Sequence, residues 1–106
     1  MDIAGSSLFT RQIKGLLSDD EYAELQFILI RHPDLGDVIL HSGGIRKIRW
    51  AVPGSGKSGG LRVIYYWYTA GHQIRMLYVC KKGKQENLTD AQLAALRKIV
   101  GRWDDG

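Results

Sequence analysis

Apolar positions change period twice along this chain. Between residues 7 and 32 they recur at helical spacing, first as Leu8, Phe9, Ile13, Leu16 and Leu17, then as Tyr22, Leu25, Ile28 and Leu29. Ser18-Asp19-Asp20-Glu21 divides the two stretches. A hydroxyl followed three residues later by glutamate, with acids in the first turn, is a capping box, so a new helix starts there. His32-Pro33 ends it, because the residue before a proline avoids helical backbone. His32 reads as a cation at the helix C-terminus or as a surface residue, and Pro33-Asp34-Leu35-Gly36-Asp37 reads as a turn.

The middle of the chain switches to period two. From Ile45 to Val52, Arg46, Ile48, Trp50 and Val52 share one parity, while Ile45, Lys47, Arg49 and Ala51 share the other. The first set is mostly apolar and belongs to the core; the second puts Lys47 and Arg49 together on the opposite face. Leu61 to Thr69 is rich in β-branched and aromatic residues, a strand signal. Its parity groups Arg62, Ile64, Tyr66 and Tyr68 against Val63, Tyr65 and Trp67. Ala70-Gly71-His72 reads as a hairpin turn with His72 exposed, and Gln73 to Cys80 as the returning antiparallel strand. Met76 and Cys80 read as strand filler. Thr89-Asp90-Ala91-Gln92 is a second capping box, followed by Leu93, Leu96, Val100 and Trp103 at helical spacing. Two helices, three or more strands and a closing helix imply one α+β domain over residues 1–106: a small antiparallel sheet with its N-terminal helices and C-terminal helix packed on one face.

Charge adds what periodicity does not. Residues 38–85 hold nine basic side chains and no Asp or Glu, within a 106-residue chain of net charge +4. A long stretch of one sign repels itself and suits a polyanion, nucleic acid first. A solvated surface that serves solubility is the plainer explanation, but the absence of acids across three strands favours binding. Tyr65, Tyr66, Trp67, Tyr68 and Tyr78 could stack on bases, although most rings in strands serve the core.

Other chemistries are excluded. No apolar run reaches membrane-spanning length, and Met1-Asp2-Ile3-Ala4-Gly5 lacks the basic and apolar regions of a signal peptide. These features and a lone Cys80, which allows no intrachain disulfide, fit a cytoplasmic protein without a membrane partner. One thiol and three scattered histidines give no structural zinc site. Ala51-Val52-Pro53-Gly54-Ser55-Gly56-Lys57-Ser58 approximates a P-loop, but Gly59-Gly60 and a strand follow it instead of a helix. It reads as a strand connection, in which Lys57 can close over a phosphate. RNA cleavage by 2′-hydroxyl attack usually draws its proton transfers from histidine or glutamate. With neither on these strands, Lys and Arg would have to stabilise the charge, a lysine whose pKa is depressed by the clustered cations could act as base, and charge alone favours plain binding over catalysis.

The ordered series Gly43-Gly44-Ile45-Arg46-Lys47-Ile48-Arg49, Gly56-Lys57-Ser58-Gly59-Gly60, Leu61-Arg62-Val63-Ile64-Tyr65-Tyr66 and Lys81-Lys82-Gly83-Lys84-Gln85-Glu86-Asn87-Leu88-Thr89 resembles the RelE/ParE superfamily of type II toxin–antitoxin toxins, nearest its HigB-like branch. Leu17-Ser18-Asp19-Asp20-Glu21-Tyr22 and Pro33-Asp34-Leu35-Gly36-Asp37 extend the likeness over nearly the whole chain. The resemblance implies a RelE-like, microbial-ribonuclease-like fold. It implies a metal-independent endoribonuclease, with no cofactor, that cuts mRNA in the ribosomal A site and inhibits translation. It also implies a cognate antitoxin, of helix-turn-helix, HigA-like kind, through which operator DNA is bound. Carried over singly, the family's catalytic positions fall on Lys47 and Arg49, Lys57, Arg62 and Lys82. Arg46, Lys81, Lys84, Tyr66, Tyr68 and Tyr78 are the expected RNA contacts. Some members place a tyrosine after the last basic residue; residues 83–90 hold none, so that role is lost or passes to a strand tyrosine such as Tyr78. A ParE-like gyrase poison and a non-enzymatic nucleic-acid-binding module are the alternatives.

Overall fold

The computed structural model describes residues 2–5, 7–50, 60–69, 71–81 and 88–105. Its strands are β1 (Asp2–Gly5), β2 (Asp37–Val38), β3 (Ile45–Trp50), β4 (Leu61–Tyr68) and β5 (Gln73–Lys81). Its helices are α1 (Ser7–Lys14), α2 (Asp19–Arg31) and α3 (Asp90–Asp105). The strands form one sheet in the order β1-β5-β4-β3-β2. β2 through β5 pair antiparallel, and β1 joins the outer edge of β5 in parallel. The periodicity gave no sign of β1, whose four residues take their form from the edge they pair with. None of the described helices is long and apolar enough to cross a membrane.

Both capping boxes form. Ser18 Oγ accepts from the Glu21 N–H while Glu21 Oε1 accepts from the Ser18 N–H, starting α2. Thr89 and Gln92 make the same reciprocal pair at the start of α3.

The helices divide between the two faces of the sheet, and this corrects the expectation that all would pack on one. Neighbouring residues of a strand point to opposite faces. Leu61, Val63 and Tyr65 of β4 pack in one cluster with Phe9, Ile13 and Leu17 from the α1 region and Leu25 and Leu29 of α2. Ile64 of the same strand packs in a second cluster with Ile45, Leu77 and Val100 of α3, flanked by Leu93 and Leu96. Leu93, Leu96 and Val100 of the stripe read from the sequence do pack on the sheet, but on the face opposite α1 and α2; the Trp103 side chain lies outside the described residues. A bulge helps to build this second core. The ladder steps from Ile64↔Tyr78 to Tyr65↔Met76, leaving Leu77 as the extra residue. Leu77 and Tyr78 consequently both join the α3 side.

Candidate active site

The α3 face carries the cations. Lys47 and Arg49 share their parity with Ile45, which packs under α3, as the alternation in β3 requires. The antiparallel registers turn this face into two rows. One row runs Arg49, Arg62, Cys80 across β3, β4 and β5. The other runs Asp37, Lys47, Ile64, Tyr78 across β2 to β5. Lys47, Arg62, Ile64, Tyr78 and Cys80 form the floor of a cleft of about 290 Å³. Val38 and Leu40 from the β2 side and Leu88 and Leu93 from the α3 side wall it.

Arg62 is the unusual member. It is only 8% exposed, and its cross-strand neighbour is another arginine, the exposed Arg49. Burying a charge is worth several kcal/mol of penalty, and like charges directly opposite destabilise a ladder. An anion seated against the pair would offset both costs. Burial pushes the thiol of Cys80, on the other side of Arg62, above its ordinary range, partly offset by the pull of Arg62, so the thiol form is favoured over the thiolate.

The other expected contacts divide. Tyr78 lies in the cleft. Tyr66 and Tyr68 lie on the same face toward the β4–β5 hairpin, roughly 13 Å or more along the strand from Arg62 at about 3.4 Å per residue. Their rings are 6.4 Å apart, and the Arg75 guanidinium sits 5.3 Å from the Tyr68 ring. They form a separate aromatic and cationic patch. Arg46 does not join the cluster. Its parity is that of Ile48 and Trp50, and its guanidinium donates to the Gly36 carbonyl at 2.7 Å and the Asp34 carbonyl at 3.3 Å, 5.9 Å from the Trp67 ring. An arginine so engaged braces the 33–37 turn, on the face opposite Lys47 and Arg49. Lys81 ends β5 opposite Leu61. Lys57, Lys82 and Lys84 lie outside the described residues.

Sequence reasoning missed the strand that carries Asp37. Residues 33–37 were expected to be a turn only, and the acid-free stretch begins one residue later. The structure makes Asp37–Val38 a short strand that places Asp37 opposite Lys47. The available signal was the hairpin: Gly43 and Gly44 take positive φ, as does His41, and fold β2 back on β3. Ser42 stabilises this turn from inside, its Oγ accepting the Ile45 N–H and donating to the Ile39 carbonyl.

A family described as the RelE toxin of the RelE / RelB toxin-antitoxin system matches residues 33–105. The match starts at the turn that carries Asp37 and runs through α3, so it spans every residue of the cleft.

Proposed function

The chain belongs to the RelE toxin family, within the RelE/ParE superfamily, and on that premise we propose that it is an endoribonuclease cutting mRNA in the ribosomal A site. The observation that carries this reading is the buried Arg62 sharing one concave site with Lys47, with the exposed Arg49 opposite it on the neighbouring strand. Cleavage by 2′-hydroxyl attack passes through a phosphorane with extra negative charge, and preorganised cations in a partly dry cleft stabilise such charge best. A gyrase poison has no need of such a site.

In this scheme Arg62, helped by Lys57, holds the scissile phosphate. Lys47 and Arg49 act on the side of the attacking 2′-oxygen, and Lys82 protonates the leaving 5′-oxygen. The products are a 2′,3′-cyclic phosphate and a 5′-hydroxyl, formed without a metal ion or other cofactor. Tyr78 in the cleft takes the stacking role that residues 83–90, lacking tyrosine, do not supply. Residues 1–106 act as a single toxin domain of the HigB-like branch, working in the cytoplasm on translating ribosomes. A cognate antitoxin neutralises it and, through a helix-turn-helix domain, carries the pair to operator DNA.

Mapping mRNA ends after induced expression tests the assignment. Cuts at in-frame codons are expected with the natural chain and not with an Arg62→Ala, Lys82→Ala double variant. Unchanged cutting by that variant would remove both residues from the mechanism, and DNA damage without mRNA cleavage would favour gyrase poisoning.

A further inference from the structure

Helix α2 is apolar on two sides. Tyr22, Leu25 and Leu29 face the core. Asp20, Ala23, Glu24, Phe27, Ile30 and Arg31 recur at three- and four-residue steps on the other side, and all six are exposed. Phe27 is two residues from both Leu25 and Leu29, about 200° round the helix from each. A helix that serves one core carries polar side chains there. This one carries Phe27 at 58% exposure and Ile30 at 37%, one turn apart, with Ala23 a turn earlier. Apolar side chains scattered singly over a surface need no explanation, whereas a contiguous row marks a contact. The Arg31 guanidinium sits 5.5 Å from the Phe27 ring and still leaves that residue more than half exposed.

We propose that this face of α2 pairs with the same face of a second copy of the chain, antiparallel about a two-fold axis beside Phe27. The charges along α2 are what fit a second copy. Glu24 stands about one turn before Phe27 and Arg31 about one turn after it. A two-fold axis sets one patch against its own reverse. At about 1.5 Å per residue, Glu24 and Arg31 then lie about 5 Å on either side of the axis. Glu24 of each copy comes level with Arg31 of the other, and the two Phe27 rings meet between these pairs. Parallel pairing would instead set Glu24 against Glu24 and Arg31 against Arg31.

α2 packs on the sheet face opposite α3, so the contact leaves the cleft of each copy open. No group of the cleft takes part, and the inference stands apart from the ribonuclease reading. Val38 and Leu40, two other exposed apolar side chains, wall the cleft instead. The family match begins at residue 33, just past α2, so this face lies outside the residues it covers. One helix face buries less than the roughly 1,000 Å² of a tight interface, so the pairing is weak and reversible, with a Kd on the order of 10–100 µM.

Sedimentation equilibrium of the full chain from about 5 to 500 µM tests this. A monomer–dimer equilibrium is expected. Phe27→Asp is expected to weaken it about tenfold or more, with the melting temperature held within about 2 °C because the side chain lies outside the core. Glu24→Arg and Arg31→Glu each set like charges together at both ends of the contact, and each is expected to weaken self-association about fivefold. Mixing these two variants restores opposite charges at both ends. Their heterodimer, followed through an N-terminal fluorophore on one of them, is expected to form within about twofold of the natural affinity. A natural chain that stays monomeric at about 500 µM overturns the proposal, as does undiminished pairing of Phe27→Asp. Charge variants that both fail to pair and do not recover on mixing overturn the antiparallel arrangement. A monomeric natural chain whose Phe27→Asp variant no longer binds its antitoxin would give this face to the antitoxin, against the proposal.

Discussion

Tyr65 joins the core to the site through a single oxygen. Its ring belongs to the core between the sheet and the N-terminal helices, while its hydroxyl fixes the Pro33 to Gly36 turn. Burial raises its pKa above the ordinary 10.0, partly offset by the Gly36 hydrogen bond and by Arg46. Burial likewise raises Tyr22 above 10.0 and Cys80 above 9.0. A group whose folded pKa is raised releases its proton first in the unfolded chain. Its stabilising share is complete below the unfolded value and is lost as pH rises through the folded one. Melting temperature is therefore expected to hold level from pH 7 to about 8.5 and to fall above about pH 9–10, with a shallower fall in Tyr65→Phe. Thermal melts across that range check this; the same slope in Tyr65→Phe would exclude Tyr65 as a contributor. The sequence grouped Tyr65 with Val63 and Trp67 on one parity, but did not show that its hydroxyl ends on a segment 29 residues away.

At the scale of elements, the strands that alternate cleanly were legible and the strands made by pairing were not. The parity of β3 in the sequence already separates Lys47 and Arg49 from the core-facing set, that of β4 separates Arg62 from Val63 and Tyr65, and the ladder keeps both separations. β1 and β2, with four and two residues, are too short for any period to register, and their form depends on the edges they join. β2 was missed for that reason, although the glycine pair that turns the chain back on it is plain in the sequence. Gly36 tests the anchoring of β2. In Gly36→Ala the new methyl meets the Tyr65 hydroxyl and the Lys47 carbonyl, so the turn must move. Overpacking of this kind destabilises by about 1–3 kcal/mol. The variant is expected to melt several degrees lower, which thermal melts check. An unchanged melting temperature would show that the turn accepts the methyl at no cost.

At the scale of the molecule, the sheet is a partition between two cores with different duties. One face, closed by α1 and α2, is packed around Phe9, Leu25, Leu29 and Tyr65. The other is only partly closed by α3, and the open part is the cleft. The amphipathic stripe on α3 could not reveal this division, because Leu93, Leu96 and Val100 fit either face of a sheet with apolar residues on both sides. The excess of positive charge between residues 38 and 85 was the legible clue to which face carries the site. The central claim is that this face cuts RNA by its own 2′-hydroxyl. The most direct test adds the protein to ribosomes programmed with a defined mRNA and determines the chemistry of the new ends. A cut within the A-site codon is predicted, leaving a 2′,3′-cyclic phosphate and a 5′-hydroxyl, and no cut when the sugar before it is 2′-deoxy. Intact mRNA, or equal cutting of the 2′-deoxy substrate, would contradict the claim.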